Sequence, residues 1–375
     1  MRKPSNPFFV SGYHSPAYFC NRQEELSWLR DQVANERNSV LFSWRRMGKT
    51  ALVRHFFYYL KKEKSADGVF VDLLGTSSLG EANRRTVLAI LNRFGDLHKG
   101  IRPTLKKLIG SIGATVGFDP LSGTPKISFG LSSGQSETNS LEAIGGYLAE
   151  RKKPVIICID EFQQVTSYRE KNAEATFRSW MQDFPMIRFV FCGSHRNMMV
   201  SMFSDQARPF YRTAQLRQLE PLPTGLYADF IITHFRKNNK YIDREQVERI
   251  FNWTRKQTYY VQLVCNKLFG KTNQVDKELL EEVFSEIIQQ EIPLFSSYQQ
   301  LLTTFQWQLL VAFAKAGSVE NPMSQHFLNQ TGLGAASSVS AALQALIKKE
   351  FVIHQDGRYT LHDTLLMRWL QGLQL

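Results

Sequence analysis

Phe42-Ser43-Trp44-Arg45-Arg46-Met47-Gly48-Lys49-Thr50 is the stretch on which the reading of this 375-residue chain turns. Before it stand four strand-forming residues, Ser39 to Phe42, and after it a helical period runs from Lys49 to Lys61. A strand that delivers a loop to a helix N-terminus makes an anion cradle, because the first helical amides lack intrahelical acceptors and the helix dipole favours negative charge there. Gly48 lets the backbone approach a phosphate, Lys49 reaches the β and γ phosphates, and the Thr50 hydroxyl can ligate magnesium. The full pattern is G-x-x-x-x-G-K-[ST], and Ser43 occupies its first glycine position. Serine is small, so the turn survives if its φ stays negative, at some cost in affinity. A chance Met-Gly-Lys-Thr at a strand-to-helix turn is the competing reading. The nucleotide-binding set expected from the loop is Ser43, Arg45, Arg46, Met47, Gly48, Lys49, Thr50 and Ala51, with ATP and Mg2+ as ligands.

A second motif strengthens the first. Val155 to Ile159 are five apolar residues that end in Asp160-Glu161, so two carboxylates emerge at the carboxyl end of a strand, where open α/β sheets bind their ligands. In phosphoryl transfer an aspartate there holds the magnesium shell, and a following glutamate can take a proton from water. Asp160 and Thr50 are therefore the expected metal residues, with Glu161 and Lys49 the expected catalytic ones. An ordinary acidic strand-to-loop junction is the bland alternative. Another apolar run, Arg188 to Cys192, ends in Gly193-Ser194-His195 beside the same edge. Ser194 or His195 can face a γ phosphate; a helix N-cap serine and a surface histidine explain them equally well.

Outward from these motifs, apolar runs alternate with helical segments from 39 to about 217, the pattern of a parallel sheet with crossover helices. Strands are expected at Ser39–Phe42, Val69–Leu73, Val155–Ile159, Arg188–Cys192 and Ala214–Leu216, and helices at Lys49–Lys61, Glu81–Phe94, Leu141–Lys152, Asn172–Asp183 and Arg196–Phe203. Residues 98–139, with an alternating stretch Lys126–Leu131, interrupt the pattern and read as an insertion. Beyond Leu222-Pro223 four amphipathic helices follow: Tyr227–Phe235, Arg244–Thr254, Tyr259–Phe269 and Asp276–Gln290. Three more (Leu302–Ala314, Ser324–Thr331, Ala335–Lys349) lead into two short strands around Gln355-Asp356-Gly357, which suggests a winged helix. The expected division is an α/β P-loop domain over 1–222, a helical lid over 223–298 and a winged helix over 299–375.

Composition narrows the classes further. With 43% hydrophobic residues, 375 residues suffice for two or three domains. No apolar run approaches the roughly 20 residues of a membrane helix. The amino terminus lacks the form of a secretion signal, so a cytoplasmic protein is expected. Cys20, Cys158, Cys192 and Cys265 have no C-x-x-C spacing and read as buried reduced thiols. The net charge of +12 suits a polyanionic partner, but the basic pairs, among them Lys61-Lys62, Lys106-Lys107 and Lys152-Lys153, are scattered as on ordinary solvated faces.

With these motifs placed, the chain resembles the archaeal-type P-loop ATPases, part of the signal-transduction ATPases with numerous domains and close to the AAA+ and Orc/Cdc6-like proteins. The resemblance covers nearly the whole chain. It rests on Tyr18-Phe-Cys-Asn-Arg-Gln-Glu-Glu-Leu26, Arg45 to Thr50, Ile159-Asp-Glu-Phe162, Gly193-Ser194, Arg208-Pro-Phe-Tyr-Arg212 and Tyr359-Thr-Leu-His-Asp363 with Trp369. It implies a parallel sheet ordered 5-1-4-3-2, a helical lid and a winged helix. It also implies that Phe19, Asn21 and Arg22 lie against the nucleotide, and that Arg212 acts as a finger on a phosphate in its own or a neighbouring subunit. Surface salt bridges are the alternative for Arg208 and Arg212. Where the family often shows Gly-x-Pro-Tyr in the lid, this chain has Lys256-Gln-Thr-Tyr-Tyr260, so no lid contact to nucleotide is assigned.

Three functional classes follow. The first is an ATP-binding and slowly hydrolysing switch, with ATP between sheet and lid, whose nucleotide state reaches a protein or nucleic-acid partner through lid and winged helix. The second is a DNA-binding regulator or initiator-like protein, homo-oligomeric assembly included, in which ATP tunes assembly. The third is a degenerate ATP-binding protein with little hydrolysis, which Ser43 makes conceivable. The expected recognition helix, Ala335 to Gln344, is nearly uncharged, which supports DNA contact weakly.

Overall fold

The computed structural model describes residues 4–94, 109–110, 114–118, 125–129, 135–355 and 357–373. Much of the expected insertion 98–139, the Lys106-Lys107 pair, Gly130 and Leu131 of the alternating stretch, and Asp356 of the expected turn lie outside the described residues. Two compact units emerge: Ser11–Leu222, and the described residues up to Val10 together with those from Pro223 onward.

Five parallel strands form the sheet of the first unit: β1 (Ser39–Phe42), β2 (Asp67–Asp72), β5 (Val155–Asp160), β6 (Ile187–Gly193) and β7 (Gln215–Gln218). Their spatial order is β2-β5-β6-β1-β7, which in the sheet's own count, read from the β7 edge, is the implied 5-1-4-3-2. Between β2 and β5 the chain forms a separate antiparallel pair, β3 (Ala114–Phe118) with β4 (Pro125–Phe129).

Every residue of β1 and β5 is buried, as strands covered on both faces must be. Alternation divides their side chains between two cores. Leu41, Ile156, Cys158, Val190 and Cys192 pack under helices α1 (Gln23–Ala34) and α2 (Lys49–Glu63), whose apolar stripes include Leu26, Leu29, Leu52, Val53 and Phe56. Val40, Phe42, Ile157, Ile159, Phe189 and Phe191 face the other way, toward α3 (Leu79–Phe94) and the helices Gln135–Ala149, Ala173–Asp183 and Arg196–Ser204. Cys158, Cys192 and Cys265 are buried and Cys20 is half-buried, all as free thiols. Because β1, β6 and β5 are parallel neighbours, their carboxyl ends deliver Ser43, Ser194 and Glu161 to one edge.

The second unit is helical, and its N-caps explain its boundaries. Asp243, Asp276, Ser324 and Asp363 each accept from an amide of the first turn, and Thr303 forms a capping box with Gln306. The amphipathic pattern of the fourth lid helix ends at Gln290, but the helix runs from Lys277 to Gln300 with Pro293 inside it. Proline removes one amide donor and crowds the preceding turn, but burial of Phe295 beyond it keeps the helix going. Helices Thr304–Ala316, Gln325–Thr331 and Ala336–Lys348 lead to the antiparallel pair β8 (Val352–Gln355) and β9 (Arg358–Leu361), and a last helix, Thr364–Gly372, was not anticipated.

Side-chain hydrogen bonds tie the two parts of this unit together. Arg255 donates to Leu361 O at 3.0 Å, Arg368 to Asn252 O and Trp253 O at 2.6 and 3.0 Å, and Tyr260 to the Asp363 carboxylate at 3.1 Å. Near the amino terminus, Asn6 donates to Asn266 O while Asn266 donates to Phe8 O, and the buried Phe8 ring packs on Phe235 and Phe269. No helix among the described residues is long and apolar enough to cross a membrane.

Candidate functional site

The loop between β1 and α2 turns on two left-handed residues, Arg46 (φ 69°) and Gly48 (φ 91°). Ser43 takes no positive φ, so serine in the first glycine position introduces no backbone strain of that kind. Met47 is buried against the α1–α2 face and anchors the loop. Arg45, Arg46 and Thr50 are exposed, while Ala51 is half-buried in the first turn of α2.

Lys49 is only 6% exposed. Its ammonium donates to Ser43 O at 3.1 Å, Ser43 Oγ at 3.2 Å and Trp44 O at 3.2 Å, so the loop's own oxygens curl around it. Burial pushes its pKa below the usual lysine value, while the nearby Glu161 and Asp160 carboxylates act the other way. A buried cation held by neutral oxygens is a favourable receiver for phosphate charge, because an anion there supplies the countercharge the loop lacks.

Thr50 donates to Asp160 Oδ2 at 2.8 Å, and the other oxygen of that carboxylate accepts from Glu161 N at 3.0 Å. Desolvation raises the Asp160 pKa above the ordinary carboxylate range; the Thr50 hydrogen bond lowers it, the Glu161 charge raises it, and Lys49 opposes that. No cluster of three or more His, Cys, Asp or Glu side chains suited to a metal occurs among the described residues. One hydroxyl and one carboxylate are nonetheless a donor set for magnesium, a hard cation that keeps several waters and takes the rest of its oxygens from phosphates.

Glu161 lies just beyond β5 in a left-handed turn (φ 53°), and its Oε2 accepts from Ser194 Oγ at 2.7 Å and from the Gln163 amide. The sequence left Ser194 as either a helix cap or a site residue. His195 is the cap, its Nδ1 accepting from Met198 N, and the Ser194 hydroxyl goes to Glu161. Gln163 escaped sequence reasoning altogether; its only signal is a position two residues past the acidic pair.

The residues before β1 also reach the loop. Arg22, buried and left-handed (φ 68°), pairs with Glu25 at 2.8 Å and donates to Met47 O at 3.4 Å. Asn21 is left-handed too, and Phe19 stacks on His55 of α2 with centroids 4.1 Å apart. Arg212 lies in a left-handed turn (φ 54°), exposed, with its guanidinium over the Tyr211 ring. Arg208 instead pairs with Glu174 and is largely buried.

His55 accepts or donates at Nδ1 to the Tyr13 hydroxyl at 2.9 Å, and burial, helped by Arg30, lowers its pKa to about 4. A depressed histidine pKa means that the unfolded chain binds the extra proton, so stability is full above roughly pH 6.5 and falls as pH drops toward 4. The expected loss across that window is about 2–3 kcal/mol. Thermal melts of the wild type and His55→Gln from pH 7.5 to 4.5 check this. The variant's melting temperature should decline less steeply, and parallel curves would contradict the assignment.

A family model described as "ATPase domain predominantly from Archaea" matches residues 19–264, and one described as "Probable winged helix domain" matches 293–372. Among solved structures, a Walker-type ATPase of Pyrococcus abyssi aligns with a TM-score of 0.65 at 15% identity, covering 97% of this chain and 99% of that one. The ORC2 protein of Aeropyrum pernix, solved as ADPNP–ADP complexes, gives 0.61 at 12% identity, covering 96% and 95%. The ORC1 protein of the same organism, solved with DNA, gives 0.52 at 13% identity, covering 95% and 93%. At such identities the likeness is one of fold. No curated protein matches the sequence.

Proposed function

The chain belongs to the family of ATPase domains found predominantly in Archaea, and on that premise we propose that it is a magnesium-dependent ATP switch with slow turnover. One observation carries the reading: at the carboxyl ends of three adjacent strands stand a buried Lys49, a Thr50–Asp160 pair, and a Glu161 carboxylate bonded to Ser194. In the proposed complex the amides of residues 45–51 and the Lys49 ammonium hold the phosphates. Thr50 and Asp160 hold magnesium, which supplies charge neutralisation when bound. Glu161 takes the proton of the attacking water, Ser194 faces the γ phosphate, and Phe19 and Arg22 flank the nucleotide. Of Arg208 and Arg212, the exposed Arg212 is the one available to a phosphate, whereas Arg208 is already committed to Glu174.

A switch needs a part that responds. The hydrogen bonds from Arg255, Tyr260 and Arg368 support a relay in which the lid helices carry the winged helix with them. A protein partner fits better than duplex DNA. The helix Ala336–Lys348 bears a cation only in its last turn, and DNA contact recruits Arg, Lys, Asn and Gln near the start of such a helix. The DNA reading keeps the +12 charge and the likeness to an ORC1 protein solved in complex with DNA in its favour. It requires duplex affinity that falls steeply with salt.

Hydrogen exchange tests the switch. Glu161→Gln protein loaded with magnesium and ATP is expected to show altered protection in residues 224–271 relative to wild type loaded with ADP. Identical exchange in the two states would leave no switch to propose.

A further inference from the structure

Glu161 carries a long, flexible side chain on a left-handed turn, and nothing in its covalent structure aims its carboxylate. What aims it is a pair of donors converging on one oxygen: Ser194 Oγ at 2.7 Å and the Gln163 amide nitrogen both bond Oε2, which leaves Oε1 to accept elsewhere. Gln163 is itself fixed from three sides. Its predecessor Phe162 is fully buried against Phe177, Phe191, Phe203 and Phe210. Its backbone oxygen accepts from Thr166 Oγ1 at 2.8 Å. Its amide oxygen lies beside Gly193, where a methyl group would collide with Met199 and with that oxygen.

That oxygen, Gln163 Oε1, is buried and has no hydrogen-bond partner among the described residues. Turning the amide over would set oxygen against the Glu161 carboxylate, so the nitrogen faces Glu161 and the orphaned oxygen is the consequence. Buried polar atoms are rarely left unbonded without a reason. Here the reason is the bond on the other side of the amide.

The two donors are not equivalent. Ser194 has a single proton, and a hydroxyl that gives it to a phosphate oxygen cannot give it to Glu161 at the same time. Gln163 has no such second claimant. We infer that Gln163 is the positioning residue for hydrolysis: it holds the Glu161 carboxylate in place while the Ser194 hydroxyl redirects its hydrogen bond to the nucleotide. The inference rests on Glu161 being the general base.

Steady-state hydrolysis by Gln163→Met, of similar length but without a donor, tests it. Gln163→Asn, whose amide is too short to reach, serves as a second variant should the first fold poorly. The expected result is a fall in kcat of roughly 10-fold, since small misplacement of a reacting group costs one to two orders of magnitude, with KM and ADP affinity unchanged within about twofold. Because Gln163 acts through Glu161, adding Gln163→Met to Glu161→Gln should slow residual turnover no further. Unchanged kcat in both single variants overturns the inference, as does an equal loss in the Glu161→Gln background. Should Glu161→Gln itself turn over like wild type, the general-base reading falls and this inference with it. Should Glu161→Gln be inactive while Gln163→Met keeps full kcat, only the role of Gln163 falls.

Discussion

Lys49→Ala is expected to bind ATP roughly 100-fold or more weakly than wild type, the loss of two charge-assisted contacts to phosphate at about 1.5–3 kcal/mol each. The side chain is buried, and its ammonium is satisfied by Ser43 and Trp44 oxygens that cannot neutralise it. Removing it relieves the desolvation that depresses its pKa and strips those oxygens of a donor, two effects that oppose each other. The melting temperature should accordingly stay within a few degrees of wild type, so that lost binding reports the site and not unfolding. Fluorescent-nucleotide titration beside a thermal melt checks both. Wild-type affinity in the variant would remove the loop from the phosphate site.

Glu161→Gln is expected to keep ATP binding and lose turnover by about 10²–10⁴-fold, the usual worth of a positioned general base. The amide oxygen can still accept from Ser194, so the local shape persists while proton acceptance does not. Asp160 continues to bond Thr50, leaving the expected magnesium residues untouched. Phosphate release under saturating ATP separates the two properties. Full turnover in the variant would assign the proton to another acceptor.

These residues were legible because each chemical type stands where chain direction alone places it. A lysine opening a helix after a strand, and a carboxylate ending a buried strand, meet at one edge in any parallel sheet. The order 5-1-4-3-2 came from resemblance, and the pairing of β6 with both β1 and β5 carries it. Gln163 was illegible for the complementary reason. Its role depends on the absence of a side chain at Gly193, on a strand thirty residues away, and no local pattern encodes that adjacency. The cap at His195 was hidden because serine is the commoner cap, and only geometry shows the hydroxyl directed to Glu161. The last turns of the helix Lys277–Gln300 were hidden for a similar reason, since the amphipathic pattern ends at Gln290 and packing of Phe295 sustains the helix past Pro293.

Ser43 remains the departure that bears most on affinity. Its backbone adopts no strained φ, and its hydroxyl joins the oxygens around Lys49, so the loop is preserved and modestly altered.

Calorimetric titration of ATP into the wild-type protein, in magnesium and again in EDTA, tests the central claim most directly. One saturable site per chain, tightened by magnesium through Thr50 and Asp160 and lost in Lys49→Ala, is the predicted result; no saturable binding at millimolar ATP, or equal binding by Lys49→Ala, would contradict it.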